Sequence, residues 1–296
     1  MKEKSTLAAT EIIKKRVSYR TYSDKSIEDN VIKKFSVFVN AVHTGPFGNQ
    51  PRFRLLNRTP FMPDKGERLG TYGVIKNARL FLAGTIKKGF RALEDYGYCM
   101  ELLILKATSL DLGTCWLGGT FNASGFAEAV DLREGEMLPA VSPVGYPAED
   151  KSFTERMFRY VSGADRRKPW SELFFNSTFF LPLTRSQAGR YDEVLENLRL
   201  APSASNKQPW RVLRDAAHNC FHFYLARSLF YTLREISLQD IDMGIAMSHF
   251  EITARELAIN GDWIIDDDAP AGGSLEYIAS WQEKSRDSMQ TNKGSD

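Results

Sequence analysis

Two long segments dominated by apolar residues constrain this chain more than any other feature. They are "DYGYCMELLILKATSLDLGTCW", residues 95–116, and "DIDMGIAMSHFEITARELAINGDW", residues 240–263. A helix that is apolar on most sides is a buried helix. Gly113 and Gly261 read as the stops of the two helices, since glycine takes the left-handed turn that ends many of them.

What precedes each segment also repeats, which is the signature to seek first in a chain of this length. "SIEDNVIKKFSVFVNAVHTG" offers Ser26 as an N-cap with Asp29 three residues on, then Ile27, Val31, Phe35, Phe38 and Val42 along one helical face. "PFGNQPRFRLL" follows, a turn with Gln50-Pro51 and an extended run. The same order returns in "RYDEVLENLRLAPSASNKQPWRVL", where Tyr191, Val194, Leu195 and Leu198 share a face and Gln208-Pro209 precede a β-branched run. "MLPAVSPVGYP" and "SLEYIASW" close the two copies with strand-like runs. The expected unit is helix, strand, strand, long buried helix and strand. The halves are expected at 1–175 and 176–285, with a flexible polar tail at 286–296.

Composition excludes several classes. At 296 residues the chain can bury a sizeable core. Thirty-nine basic against 37 acidic residues leave a formal charge of +2, too little to suggest a nucleic-acid or membrane partner. No run has the apolar continuity of a signal peptide or a membrane span. The three cysteines, Cys99, Cys115 and Cys220, follow no metal-ligand spacing, so a reduced, cytoplasmic setting is expected.

Three stretches could carry chemistry. "KRVSYRTY" puts Arg16, Ser18 and Arg20 at alternate positions, and in an extended backbone alternate side chains share a side. Two guanidinium forks and a hydroxyl could then converge on a phosphate; a solvated basic face is the plainer reading. "DLGTCWLGGTF" combines Gly113, Gly118 and Gly119, where backbone can turn or approach a ligand closely, with the apolar wall of Trp116 and Leu117. Here a helix cap and tight loop is the plainer reading. "DRRKPWSELFF" brings Arg166, Arg167 and Lys168 before a helix, an arrangement that can serve an anion but is more often surface charge.

Other groupings favour plain structure. His218, Cys220 and His222 would share one face of a strand, yet no fourth ligand lies near in sequence, so no metal is expected. His249 sits within a buried helix pattern and reads as a core histidine. No Ser, His and Asp grouping suggests a nucleophilic triad, and no G-x-G-x-x-G follows a strand.

Taken together, "RVSYRTY", "APSASNKQPW", "GTCWLGG" and "VGYPAEDKSF...DRRKPWSELFF" resemble the FMN-dependent nitroreductase family over most of the chain. In that family a dimer holds FMN at its interface, with the arginine-serine element from one subunit and the Pro-Ser-x-x-Asn-x-Gln-Pro-Trp loop from the other. Here the first element lies in the first half and the intact loop in the second. The first-half loop has Thr44, Gly45, Gly48 and Arg52 where the second has Pro202, Ser203, Asn206 and Trp210.

The resemblance therefore implies an α+β nitroreductase-like fold, with central mixed sheets flanked by helices and two diverged halves forming an intrachain pseudo-dimer. It implies one working flavin site and a monomer. Arg16 and Ser18 would meet the flavin phosphate with Arg167 and Lys168, and Arg20 would lie at the pyrimidine edge. Pro202, Ser203 and Asn206 would line the ring and ribityl chain, Gln208 would hold the loop, and Leu117, Gly118 and Gly119 would face N5. "GTYGVIKNA" could add Thr71 or Tyr72. The implied activity is hydride transfer from NAD(P)H through flavin N5 to a nitroaromatic, quinone or similar small acceptor, in a slot such as Phe47, Phe53 and Trp116 could build, with no essential side-chain acid. An FMN-binding or sensory protein without turnover, and a flavin-dependent dehalogenase or dehydrogenase, are the alternatives.

Overall fold

The computed structural model describes residues 7–57, 69–149 and 166–284. The tail from 286 and residues 150–165 of the quoted basic stretch lie outside these. Along the described chain run α1 (Ala9–Lys15), α2 (Asp29–Ala41), β1 (Arg52–Asn57), β2 (Leu80–Lys87), α3 (Ala92–Ser109), β3 (Gly113–Thr114), α4 (Ala123–Val130), β4 (Glu136–Met137) and β5 (Val141–Gly145). There follow α5 (Trp170–Leu173), β6 (Phe174–Asn176), β7 (Thr178–Pro182), α6 (Arg185–Ala188), α7 (Asp192–Arg199), β8 (Trp210–Asp215) and β9 (Cys220–Leu225). The last elements are β10 (Thr232–Leu233), β11 (Ile236–Ser237), α8 (Leu238–Glu256), β12 (Gly261–Ile264) and β13 (Glu276–Glu283). The fold is α+β.

The two main sheets share one topology. The first runs β1-β2-β5-β3 and the second contains β8-β9-β13-β12, with every one of these neighbours antiparallel. Along each of these four-strand paths two strands come before the long helix and two after it, and the last strand inserts between its predecessors, while β4 pairs with β2 off the first path. The second sheet is extended at the β8 edge by β6, parallel to β8, and by its hairpin partner β7. The junction expected between 175 and 176 thus falls inside β6, a strand that belongs wholly to the second sheet.

The long helices α3 and α8 pack directly on each other, and glycines make this possible. A Cβ on Gly97 would stand 2.2 Å from the Ile241 carbonyl oxygen, and one on Gly244 would stand 1.8 Å from that of Glu94. No side chain fits between backbones this close. Met100, Leu103 and Ile104 of α3 are buried in one apolar cluster and Met243, Ile245, Met247 and Phe250 of α8 in another, while Tyr98 and Trp116 pack on both. Each large apolar side chain so buried contributes about 1.5–3 kcal/mol.

Three expectations about helix ends and faces are corrected. Helix α2 starts at Asp29 with Glu28 as its N-cap, two residues after Ser26, and Glu28 is paired with Lys25 at 2.9 Å. Helix α3 stops at Ser109 and α8 at Glu256, with Asp111 (φ 63°) and Ala258 (φ 56°) making the left-handed turns. Gly113 and Gly261 instead open strands β3 and β12. They are small there because a Cβ would press on Tyr19 and Pro147 at 2.8 and 2.9 Å, or on the Gln282 carbonyl oxygen at 2.6 Å.

Replacing either crossing glycine should separate the helices. Gly97→Ala and Gly244→Ala are each expected to lower unfolding free energy by about 2–3 kcal/mol, the cost of overpacking a tight contact. Urea denaturation checks this, and an unchanged midpoint would show that the crossing tolerates a methyl group.

Candidate active site

The extended segment after α1 is pinned as a strand-like arm. Ser18 bridges Thr114 in parallel, Tyr19 N–H donates to the Thr114 carbonyl at 2.9 Å, and Lys76 N–H donates to the Arg20 carbonyl at 2.8 Å. The alternation read from the sequence is realised in part: Tyr19 lies against Gly113, while Arg16, Ser18 and Arg20 line a cavity of about 390 Å³ together with the intervening Val17. Its volume is in the range of ligand sites.

The opposite wall comes from the loop between α7 and β8, with Pro202, Ser203, Ala204, Ser205 and Asn206. This loop is strained: Ser205, Asn206 and Gln208 hold φ of 48°, 54° and 48°, a left-handed conformation that costs a non-glycine residue about 1–3 kcal/mol. Its surroundings hold it there. Asp242 of α8 accepts from Ala204 N–H with both oxygens, at 2.9 and 3.1 Å. The Asn206 amide donates to the Arg166 carbonyl at 2.6 Å, and Gln208 Oε1 accepts from Lys168 N–H at 2.8 Å.

The twelve sequence-predicted residues divide between several places. Arg16, Ser18, Arg20, Gly118, Arg167, Pro202, Ser203 and Asn206 line the cavity together. Leu117 is buried beside it and pairs its backbone with Val141, while Gly119 lies on the exposed side of the same turn. Lys168 and Gln208 line a neighbouring cleft. Arg167 is also a strut: its guanidinium donates to the carbonyls of Leu200 and Ala201 at 2.9 and 2.8 Å, just beyond α7, and to Asn206 Oδ1 at 3.0 Å.

The proposed apolar slot is corrected. Phe53 is buried against Tyr96, with ring centroids 5.4 Å apart, and Phe47 packs on Phe90; of the three rings only Trp116 lines the cavity. Ile13, Val17, Leu238, Ile241 and Ile245, three of them from α8, add to its apolar surface with Ala140 and Leu200. Thr71 is buried and accepts from Ile75 N–H, and Tyr72 is exposed; neither lines the cavity. The trio of His218, Cys220 and His222 does not assemble either, because His218 turns outward to Asp215 at 2.6 Å. Asp266 instead joins the buried Cys220 and His222, their ligand-type atoms lying within 4.8 Å of one another.

Two acids that the sequence reading missed organise the site. Glu101 of α3 is fully buried: its Oε2 accepts from Trp116 Nε1 at 2.7 Å, and its Oε1 lies 2.9 Å from His249 Nε2 and 3.8 Å from Arg16 Nε. His249, buried as expected, meets the Asn197 carbonyl through Nδ1 at 3.0 Å. Two cavity residues, Arg16 and Trp116, are thus held from behind by one carboxylate. The second acid, Asp242, is the only carboxyl among the described lining residues, beside Lys14, Arg16, Arg20 and Arg167.

These groups fit a phosphate-bearing flavin. Arg16 Nε is buried with no hydrogen-bond partner among the described residues, and a buried donor without an acceptor is costly. Cations and Ser18 at one part of the cavity can hold a phosphate, and the indole and aliphatic walls can cover a planar ring.

Burial holds the Asp242 carboxyl well above the ordinary aspartate range. The folded chain therefore keeps a proton that the unfolded chain releases. Stability is expected to fall as pH rises from the unfolded aspartate value through the folded one. Asp242→Asn should reduce this slope while still accepting from Ala204 N–H, as urea midpoints at pH 4 and pH 8 would show. An identical slope in wild type and variant would refute it. Glu101→Ala should cost about 3–5 kcal/mol, the loss that follows removal of one partner from a buried charged pair, with a red shift in Trp116 emission.

The comparisons with known proteins agree in direction. A protein of Archaeoglobus fulgidus named as an NADH dehydrogenase/NAD(P)H nitroreductase is 28% identical over 169 residues, covering 52% of this chain and 94% of its own. The crystal structure of a nitroreductase from Thermotoga maritima superposes with a TM-score of 0.57 and 19% identity over 96% of both chains. A nitroreductase with bound FMN from Desulfitobacterium hafniense aligns at 16% identity and a TM-score of 0.38, over 49% of this chain and 92% of that one. Among the described residues no helix is long and apolar enough to cross a membrane. The profile of the family described as "Putative TM nitroreductase" matches residues 8–254, so the chain belongs to that nitroreductase family.

Proposed function

We propose that the chain is an FMN-dependent oxidoreductase of nitroreductase type, using NAD(P)H to reduce a nitroaromatic, quinone or similar small acceptor. The observation that carries this reading is the meeting of the Arg16–Arg20 arm and the Pro202–Gln208 loop across one cavity. Bound FMN supplies two-electron hydride chemistry at its N5. The protein's part is binding, orientation and charge. Arg16, Ser18 and Arg167 would hold the phosphate and Arg20 the pyrimidine edge, where a cation favours the reduced ring. Pro202, Ser203 and Asn206 would set the ring's depth, and Gly118 leaves the backbone accessible. Glu101 keeps the Arg16 guanidinium and the Trp116 indole in place, and the α8 aliphatics would keep water from a ring held in the cavity.

We further infer that the two halves are diverged copies acting as an intrachain pseudo-dimer with one flavin site. The repeated sheet topology supports this, as does a relative that matches 94% of its own length with 52% of this chain. In the first half the equivalent loop is tied to α3, where Asp95 accepts from Phe47 and Asn49 N–H at 2.9 and 2.8 Å. Arg52 is spent on the carbonyls of Val130 and Asp131 and on Glu136.

Purified protein is expected to be yellow, to release about one FMN per chain as the one-site reading requires, and to bleach on anaerobic addition of NADH or NADPH. Arg16→Ala should lose FMN far more readily than Arg52→Ala, measured by flavin fluorescence after gel filtration. Colourless protein that FMN does not stabilise against heat would end this reading; yellow protein that neither dinucleotide reduces would support a binding role without turnover.

A further inference from the structure

Next to the cavity, and sharing Arg167 and Asn206 with it, lies a second cleft of about 490 Å³. Arg166, Arg167, Lys168, Lys207, Arg211 and Arg227 all line it, and among the described lining residues there is no carboxylate. In a chain of formal charge +2 such a concentration of one sign needs a cause. Arg227 is neutralised by Asp240 and Glu276, and Arg167 is the strut described above. Arg166, Lys168, Lys207 and Arg211 form no ion pair among the described residues.

Of these four groups Lys168 and Arg211 are partly buried in the cleft and Arg166 and Lys207 are exposed at its rim. The Arg211 guanidinium is half-buried and donates only to main-chain carbonyls, those of Gln208 at 3.2 Å and Trp210 at 2.6 Å. Burial, and after it the charge of Arg211, holds the Lys168 ammonium below its ordinary lysine value, with a smaller push from Lys207. Glu172 acts on Lys168 and Arg211 without reaching ion-pair distance. Like charges gathered in a partly dry cleft repel one another, and a dianion would relieve them all at once. Two arginine forks and two ammonium groups match the acceptor-rich, twofold-charged phosphate monoester better than a carboxylate. The buried side chains of Gln208 and Pro209 close the floor.

We propose that this cleft binds the 2′-phosphate of the nicotinamide donor, so that NADPH is used in preference to NADH. The assignment rests on the oxidoreductase reading, because it is a donor bound in the first cavity whose far end would reach the second. FMN's own phosphate would take Arg16, Ser18 and Arg167 from the first-cavity side, leaving Arg166, Lys168, Lys207 and Arg211 to the donor.

The test uses the FMN-loaded enzyme as purified, the double variant Arg166→Gln/Lys207→Gln, and the probes 2′,5′-ADP, 5′-AMP and inorganic phosphate. Both altered residues are exposed, so folding is not at stake. Wild type should show kcat/KM at least about tenfold higher with NADPH than NADH, the effect of one charge-assisted contact. The double variant should bring the two donors to parity by loss with NADPH alone. In calorimetry 2′,5′-ADP should bind wild type about tenfold more tightly than 5′-AMP, and the variant should erase that difference. Equal losses with both donors, or equal affinities for the two nucleotides, would overturn the proposal. So would loss of FMN from the variant, which would mean that the cleft serves the cofactor's phosphate, or tighter binding of inorganic phosphate than of 2′,5′-ADP, which would mark a free-anion site. If neither donor reduces the enzyme, the oxidoreductase reading fails, and calorimetry still decides the cleft.

Discussion

The contact on which the rest of this molecule depends is the crossing of α3 and α8 at Gly97 and Gly244. Because the helices meet backbone to backbone, residues one turn away on each are brought to fixed positions on both sides of the crossing. Asp95 and Asp242 stand two residues before the two glycines, and each reaches the loop that precedes its own sheet. The crossing thus sets the depth of the Pro202–Gln208 loop, and with it one wall of the cavity. A bulkier contact would displace two loops as well as two helices. Packed interfaces of this kind are discrete rather than continuously adjustable.

Around that crossing the interior is unusually polar for its depth. Trp116, Glu101, His249, Asn197 and Thr10 form a connected line through five segments of the chain, ending with Asn197 Nδ2 donating to Thr10 Oγ1 at 2.6 Å. Burying such groups brings little net stability compared with an apolar core of the same shape. What the line does bring is registry, since every member has a directional partner on a different element. For a cavity whose walls come from distant parts of the sequence, registry matters more than an extra kilocalorie.

Much of this was legible beforehand, and the failures have physical reasons. The two apolar helices, the alternation of Arg16, Ser18 and Arg20, and the loop carrying Asn206 and Gln208 are local patterns, and local patterns survive in a sequence. Gly113 and Gly261 read as helix stops in the sequence because glycine answers two needs alike, a left-handed turn and a close backbone approach; only the fold shows that Asp111 and Ala258 make the turns. Phe47 and Phe53 were assigned to the cavity on aromatic character, whereas Ile241 and Ile245, on a helix buried all round, gave no sign of which face was open. Asp242 was overlooked for the same reason, although Asp-x-Gly recurs at Asp95-Tyr96-Gly97 and would have flagged it. The basic cleft draws Arg166, Lys207 and Arg211 from separate segments, and no window along the chain contains it.

The arm that carries Arg16 begins in α1, whose Ala9 N–H is held by both oxygens of Glu256 and whose Thr10 hydroxyl donates to Glu193 at 2.7 Å. These clasps belong to residues translated some two hundred positions later, whereas Lys15, at the other end of the helix, pairs with Asp111 of the first half. During synthesis the arm can pair with Thr114 and Lys76 early, but the start of α1 gains its Glu193 and Glu256 partners only once the second half has emerged. Long-range closure of this sort is slow, so the cavity, whose second wall is the Pro202–Gln208 loop, is completed late, and a chain cut short before Glu256 would leave the first N–H of α1 without its carboxylate.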